Sequence, residues 1–297
     1  MLVSLVSRLG LISALSLPVS AMALVGGAGV APNTADSPWA GVGSLSVGGQ
    51  IFTATLIAPG YVLTAAHVAQ GADLSSLSFQ INAGGSFSVG ASEIFINPGY
   101  TGSSAGNVAG DPTNHADLAI IKLSSVVPSD IPFYTLFGGN LQSKDLTFVS
   151  YAGSATTKTT GENRADLLLA DANGAKQAYM FDFDGPNLTT NRLGLNIASN
   201  GTLGANREAS LIGGDSGSAA FVNVNGQWQL AGVNTYEVFF APGPNVSGQY
   251  GTGGGGMVLS TYMPWIQSVV MAPVPEPESW LLFLIGLPLI AGLSKRR

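Results

Sequence analysis

There is no cysteine in these 297 residues. That excludes disulfide staples, thiol nucleophiles and thiolate metal ligands, so a packed core must supply the stability alone. Charge is scarce as well: only 9% of residues are Asp, Glu, Lys or Arg. The 11 basic residues are outnumbered by 17 acidic ones, and a net charge of −6 offers no basic face for a nucleic acid. Histidine occurs only twice, at His67 and His115. No internal repeat of roughly 20–50 residues is visible.

Glycine, by contrast, is abundant at 40 residues, and Val, Thr and aromatic residues run through the whole chain. Runs such as "QIFTATLIA", "LSFQINA", "DLAIIKL", "LTFVSYAG" and "WQLAGVNTY" are bounded mostly by Gly, Pro, Asn or Asp. They predict an all-β chain of many short antiparallel strands in a barrel or sandwich. One helix is expected at 260–271, where Met263, Ile266, Val269 and Val270 fall near helical spacing. Segment 243–256, "GPNVSGQYGTGGGG", reads as a flexible loop.

Both ends read as addresses rather than fold. Residues 1–23 have one early charge, Arg8, then an apolar stretch ending in small residues, the form of a secretory signal. Cuts after Ala21 and after Ala23 both fit. A membrane helix fits less well, because Pro18 interrupts a short apolar run. The other end, 273–297, has Pro-Glu-Pro at 275–277, an apolar run of 14 residues from Trp280 to Leu293, and then Lys295, Arg296 and Arg297. That run is short of the roughly 20 residues of a stable span. The three features together resemble the PEP-CTERM sorting signal of Gram-negative bacteria; a simple tail anchor is the alternative. The resemblance implies recognition by an exosortase-type processing enzyme, transient membrane association, and an envelope or extracellular location. Both ends raise the mean hydropathy of +0.33. The remaining 24–272 carries 7 basic and 15 acidic residues, a net −8.

Three motifs in this middle carry chemistry. "VLTAAHVAQG" presents His67, a side chain suited to taking and returning a proton near neutral pH. "NHADLAIIKL" presents Asp117 before an apolar strand, able to orient an imidazole. "IGGDSGSAAF" presents Ser216 between small residues, and a serine hydroxyl attacks only when a base removes its proton. Alone, each reads more simply as a strand-end histidine, a turn aspartate and a tight turn; His115 reads as a surface residue.

In this order, 50 and 99 residues apart, the three resemble the trypsin/chymotrypsin-like serine proteases. "SPWAGVGSL" with Trp39, "FTATLIAPGYVLTAAH", "FVSYAG", "LAGVNTY" and "MVLSTYMPWI" extend the likeness over nearly all of 24–271. The resemblance implies two six-stranded antiparallel barrels, at about 24–135 and 136–259, a C-terminal helix, and a cleft between the barrels. It also implies His67 as base, Asp117 as its orienting partner, Ser216 as nucleophile, the N–H groups of Gly214 and Ser216 as oxyanion hole, peptide or protein substrates, and no cofactor or metal. Two departures stand out. The family's disulfide is missing: Val68 follows the histidine and Thr53 stands near the partner position, so packing must replace the bridge. Gly217-Ser218-Ala219 stands where Gly-Gly-Pro is usual.

The family's activating N-terminus, which pairs with the aspartate before the nucleophile, resembles Leu24-Val25-Gly26-Gly27, with Asp215 as partner. No Arg or Lys lies between Arg8 and Lys122. The usual cut is therefore absent, and signal peptidase acting after Ala23 would create this terminus; otherwise the segment is ordinary and other donors hold Asp215. By family spacing Ser210 is the base of the substrate pocket and favours apolar or aromatic side chains. A two-residue shift would put Glu208 there and reverse that. Gly256 would be a pocket wall, and Thr235 and Tyr236 would line the substrate. Asp182 and Asp184 in "FDFDG" read as solvated turn carboxylates, with calcium ligation the alternative.

Overall fold

The computed structural model describes residues 23–102, 116–194, 203 and 207–271. The expected signal segment 1–22, His115 and the sorting segment from 272 onward lie outside the described residues. Among the described residues no helix is long and apolar enough to cross a membrane.

Among the described residues, sixteen strands carry the fold. β1 (Val25–Gly26) and β2 (Gly29–Ala31) open the chain. β3 (Val42–Val47), β4 (Gln50–Ala58), β5 (Tyr61–Thr64), β6 (Leu77–Asn82), β7 (Ser86–Ile96) and β8 (Ala119–Leu123) follow. They close into a barrel in the order β3-β4-β5-β8-β7-β6, every ladder antiparallel. Inward residues such as Leu45, Leu56, Val62, Phe79, Ile81 and Ile121 fill it. β6 shows the two-residue alternation a half-buried strand needs, with Leu77, Phe79 and Ile81 buried.

The second half comprises β9 (Asp145–Ser150), β10 (Lys158–Arg164), β11 (Leu167–Ala170), β12 (Lys176–Asp182), β13 (Ala209–Ser210), β14 (Ala219–Val224), β15 (Gln227–Phe239) and β16 (Thr252–Val258). All but β13 join β2 in one sheet, ordered β11-β12-β16-β15-β14-β9-β10-β2. β10 and β11 are one chain interrupted at Ala165-Asp166, with β10 on β9 and β11 on β12. The second barrel therefore closes through this kink, a two-barrel fold with one strand broken in two. Asn225-Gly226, at φ 52° and 86°, makes the two-residue hairpin between β14 and β15.

The boundaries differ from expectation at three points. β1 pairs with β13 and β2 with β10, so 25–31 belongs to the second barrel although it precedes the first. Residues 252–256 are not loop but the start of β16, fully buried, because a glycine run lets β12 and β15 approach from both sides. The helix, α2 (Leu259–Val270), starts one residue early and buries Leu259, Tyr262 and Ile266.

Aromatic packing joins the barrels. Trp39 lies 5.0 Å from Phe221 and 4.8 Å from Trp228 between ring centroids, and Tyr134 lies 4.6 Å from Phe221. Lys158 is fully buried beside them and donates from Nζ to the Trp39 carbonyl at 3.1 Å. Burial lowers its pKa to about 8.

Candidate active site

His67 sits in a one-turn helix, α1 (Ala66–Ala69), directly after β5; Asp117 sits just ahead of β8, the strand paired with β5. That pairing is why two residues distant in sequence meet. Asp117 Oδ1 accepts from the His67 backbone N–H at 2.8 Å, and Oδ2 lies 2.6 Å from His67 Nδ1. A carboxylate only accepts, so Nδ1 carries a proton, and in the neutral ring Nε2 is the acceptor. Ser216 Oγ lies 2.7 Å from Nε2. Asp117 is buried while the imidazole stays partly open to solvent.

Ser216 comes from the second barrel, on the turn before β14. Gly214 has φ +101° and Gly217 φ +82°, a backbone that side chains resist. A Cβ on Gly217 would also lie 2.2 Å from Thr64 Oγ1 and 2.3 Å from the Thr53 carbonyl oxygen. In this turn the N–H groups of Asp215, Gly217 and Ser218 bond to the carbonyls of Ile212, Asn234 and Asp215. Those of Gly214 and Ser216 have no backbone acceptor among the described residues, which leaves two donors beside the serine hydroxyl.

Polar side chains replace the absent disulfide. Val68 packs into the first barrel's core as expected. Thr53 is more than filler. Its carbonyl accepts from Thr64 Oγ1 at 2.8 Å, and its hydroxyl oxygen accepts from Tyr151 N–H at 2.8 Å. Ser150 Oγ lies 3.3 Å from that hydroxyl and donates to Asp215 Oδ1 at 2.6 Å. Asp215, almost fully buried, also accepts at Oδ2 from Ile212 N–H at 2.8 Å and Leu24 N–H at 3.2 Å. Leu24 is 1% exposed and packs inside the second barrel. Burial pushes the Asp215 carboxyl up to about 6, against the pull of Ser150, Ile212 and Leu24.

A cavity of ≈ 250 Å³ opens beside Ser216, lined by Leu211, Ile212, Gly213, Asp215, Thr235, Tyr236 and Glu237. Thr235 and Tyr236 are among its lining residues. Ser210 does not. It is fully buried, its Cα pairs with Val25 in β13, and its hydroxyl has no hydrogen-bond partner. Tyr236 and Leu211 explain this. A Cβ on Gly255 would lie 2.4 Å from the Tyr236 hydroxyl, and one on Gly254 2.9 Å from Leu211 Cδ1, so these side chains fill the hollow over β16. Gly256 is no pocket wall either; it presses against Val233 and Asn234 of β15. Glu208 is buried, accepting from the N–H groups of Asp184 at 2.8 Å and Leu203 at 2.6 Å. Asp182 and Asp184 are both 3% exposed, not solvated: Asp182 receives the N–H groups of Arg192 and Leu193. Among the described residues no three metal-ligating side chains cluster.

Glu237 is the residue that sequence reasoning missed. β15 carries a bulge at Thr235, since Asn234 pairs with Gly256 while Tyr236 pairs with Gly255. A bulge re-aims the side chains that follow it, and no sequence pattern announces it.

The imidazole, carboxylate and hydroxyl form a chain that can pass a proton from the serine as it attacks an acyl carbon. No curated protein matches the sequence. The family model Trypsin matches residues 24–266. The chain thus belongs to the trypsin family of serine proteases, hydrolases of peptide or protein substrates.

Proposed function

We propose that this chain is an exported serine endopeptidase working through an acyl-enzyme on Ser216. The single observation that carries the reading is the 2.7 Å approach of Ser216 Oγ to His67 Nε2, with Asp117 behind the ring at 2.6 Å. Ser216 Oγ attacks the scissile carbonyl carbon while Nε2 takes its proton. The N–H groups of Gly214 and Ser216 receive the oxyanion, an interaction often worth about 3–4 kcal/mol per donor. The imidazolium then protonates the leaving amine, the C–N bond breaks, and an ester on Ser216 remains. Water, deprotonated by His67, attacks that ester and frees the carboxylic acid and the serine.

Export rests on residues 1–23, and delivery to the cell envelope or outside rests on the sorting pattern of 273–297. Signal peptidase acting after Ala23 would leave Leu24 as the first residue, and an exosortase-type enzyme would process the other end. The proximity of Leu24 N to Asp215 supports the first of these.

A fluorophosphonate probe tests the reading. The expected result is covalent labelling of the wild type and none of Ser216→Ala. Labelling of neither, with both folded by circular dichroism, overturns it and leaves a silent homologue that binds rather than cuts.

A further inference from the structure

The cavity beside Ser216 holds two carboxylates, and they differ. Asp215 is turned away into the second barrel, where Ser150, Ile212 and Leu24 saturate it. Glu237 is partly exposed on the cavity wall, and among the described residues its carboxylate accepts one hydrogen bond, from the Ser247 hydroxyl at 2.6 Å. No Lys or Arg is paired with it among the described residues, and its charge is felt at Asp215. Leu211 and Ile212 give the same cavity an aliphatic stretch of wall. The cavity stops short of Ser210: Tyr236, whose hydroxyl donates to the Tyr179 carbonyl at 2.7 Å, and Leu211 fill the space over β16. The loop that carries Ser247 packs against Val25 and Ile212: a Cβ on Gly248 would lie 2.8 Å from Val25 Cγ2 and 3.1 Å from Ile212 Cγ2.

Resting on the protease reading above, we infer that Glu237 sets the substrate class, selecting lysine or arginine immediately before the scissile bond. A cationic side chain of this kind has an apolar stem and a charged head. The stem lies against Leu211 and Ile212, and the head reaches the Glu237 carboxylate at the rim. The residue at the family's usual specificity position, Ser210, is neutral and walled off, so spacing alone gives the opposite preference.

The test uses the full chain and peptides identical except for Lys, Arg, Leu, Phe or Glu before the cut. The wild type is expected to show kcat/KM at least about tenfold higher for Lys and Arg than for Leu and Phe. In Glu237→Gln that ratio is expected to fall by about tenfold or more, chiefly through KM; in Glu237→Lys the Glu peptide should gain. Raising the salt concentration should lower the wild-type ratio, a reading that needs no variant. Fluorophosphonate labelling of each protein reports separately whether Ser216 still reacts. A labelled wild type that prefers Leu or Phe overturns the inference and leaves the protease reading intact. So does a labelled Glu237→Gln with an unmoved ratio. An unlabelled wild type removes the protease reading, and this inference with it.

Discussion

Asp117 holds His67 at two atoms, the backbone N–H and Nδ1, so the ring can neither swing nor change tautomer freely. Replacing it with asparagine keeps the shape and loses the chemistry. If the amide oxygen keeps the backbone N–H, the amide NH₂ faces Nδ1, which must then accept, and the ring proton moves to Nε2. Ser216 loses its base. Asp117→Asn is expected to lower kcat by about 10⁴-fold with little change in KM, measured on any cleaved peptide. These three residues were legible because each belongs to a short local motif at a strand end or tight turn. The pocket was not. Ser210 and Gly256 follow from counting along the chain, but the volume they would border is filled by Tyr236 and Leu211. Glu237 enters through a bulge at Thr235 that depends on how β15 lies against β16.

At the scale of elements, the break between β10 and β11 closes the second barrel and brings Asp166 inside. Asp166 is 3% exposed and neighbours Asp182, whose N–H reaches its Oδ2 at 3.4 Å; Glu208 adds a further negative charge nearby. Burial first, then repulsion from Asp182, pushes its carboxyl up to about 9, so it stays protonated at neutral pH. A carboxyl raised in the fold adds stability below its unfolded value near 3.8, and that contribution is lost as pH rises through about 9. Asp166→Asn, neutral at every pH, is therefore expected to gain in melting temperature relative to the wild type steadily from pH 5 to pH 9. A constant difference across that range contradicts the assignment. Most strands were legible from β-rich runs between turn residues. The buried carboxylates were not, because nothing local in "FDFDG" tells that the following connection folds back and offers its N–H groups to Asp182.

At the scale of the molecule, the first residues of the middle segment brace the second barrel. Leu24 fills its core, β1 and β2 add to its sheets, and Leu24 N lies 3.2 Å from Asp215. With Leu24 still in a peptide bond, Asp215 sits near pH 6 and loses stability as pH rises through that value. A free amine at Leu24 would be an ammonium there, drawing the carboxyl down and holding the turn of Gly214 and Ser216. Such a buried pair costs about 3–5 kcal/mol to break from one side. Chains beginning at Leu24 are expected to be at least about tenfold more active than chains beginning at Met22, compared after N-terminal sequencing. Equal activity would mean that Ser150 and Ile212 suffice to hold Asp215.

The pairing of Val25 with Ser210 also has a bearing on timing. A ribosome makes the front of the chain first, yet that front finds its place only after some two hundred more residues exist. The histidine waits a further 149 residues for its serine. A half-made chain therefore holds the imidazole and the carboxylate without the hydroxyl they are to face.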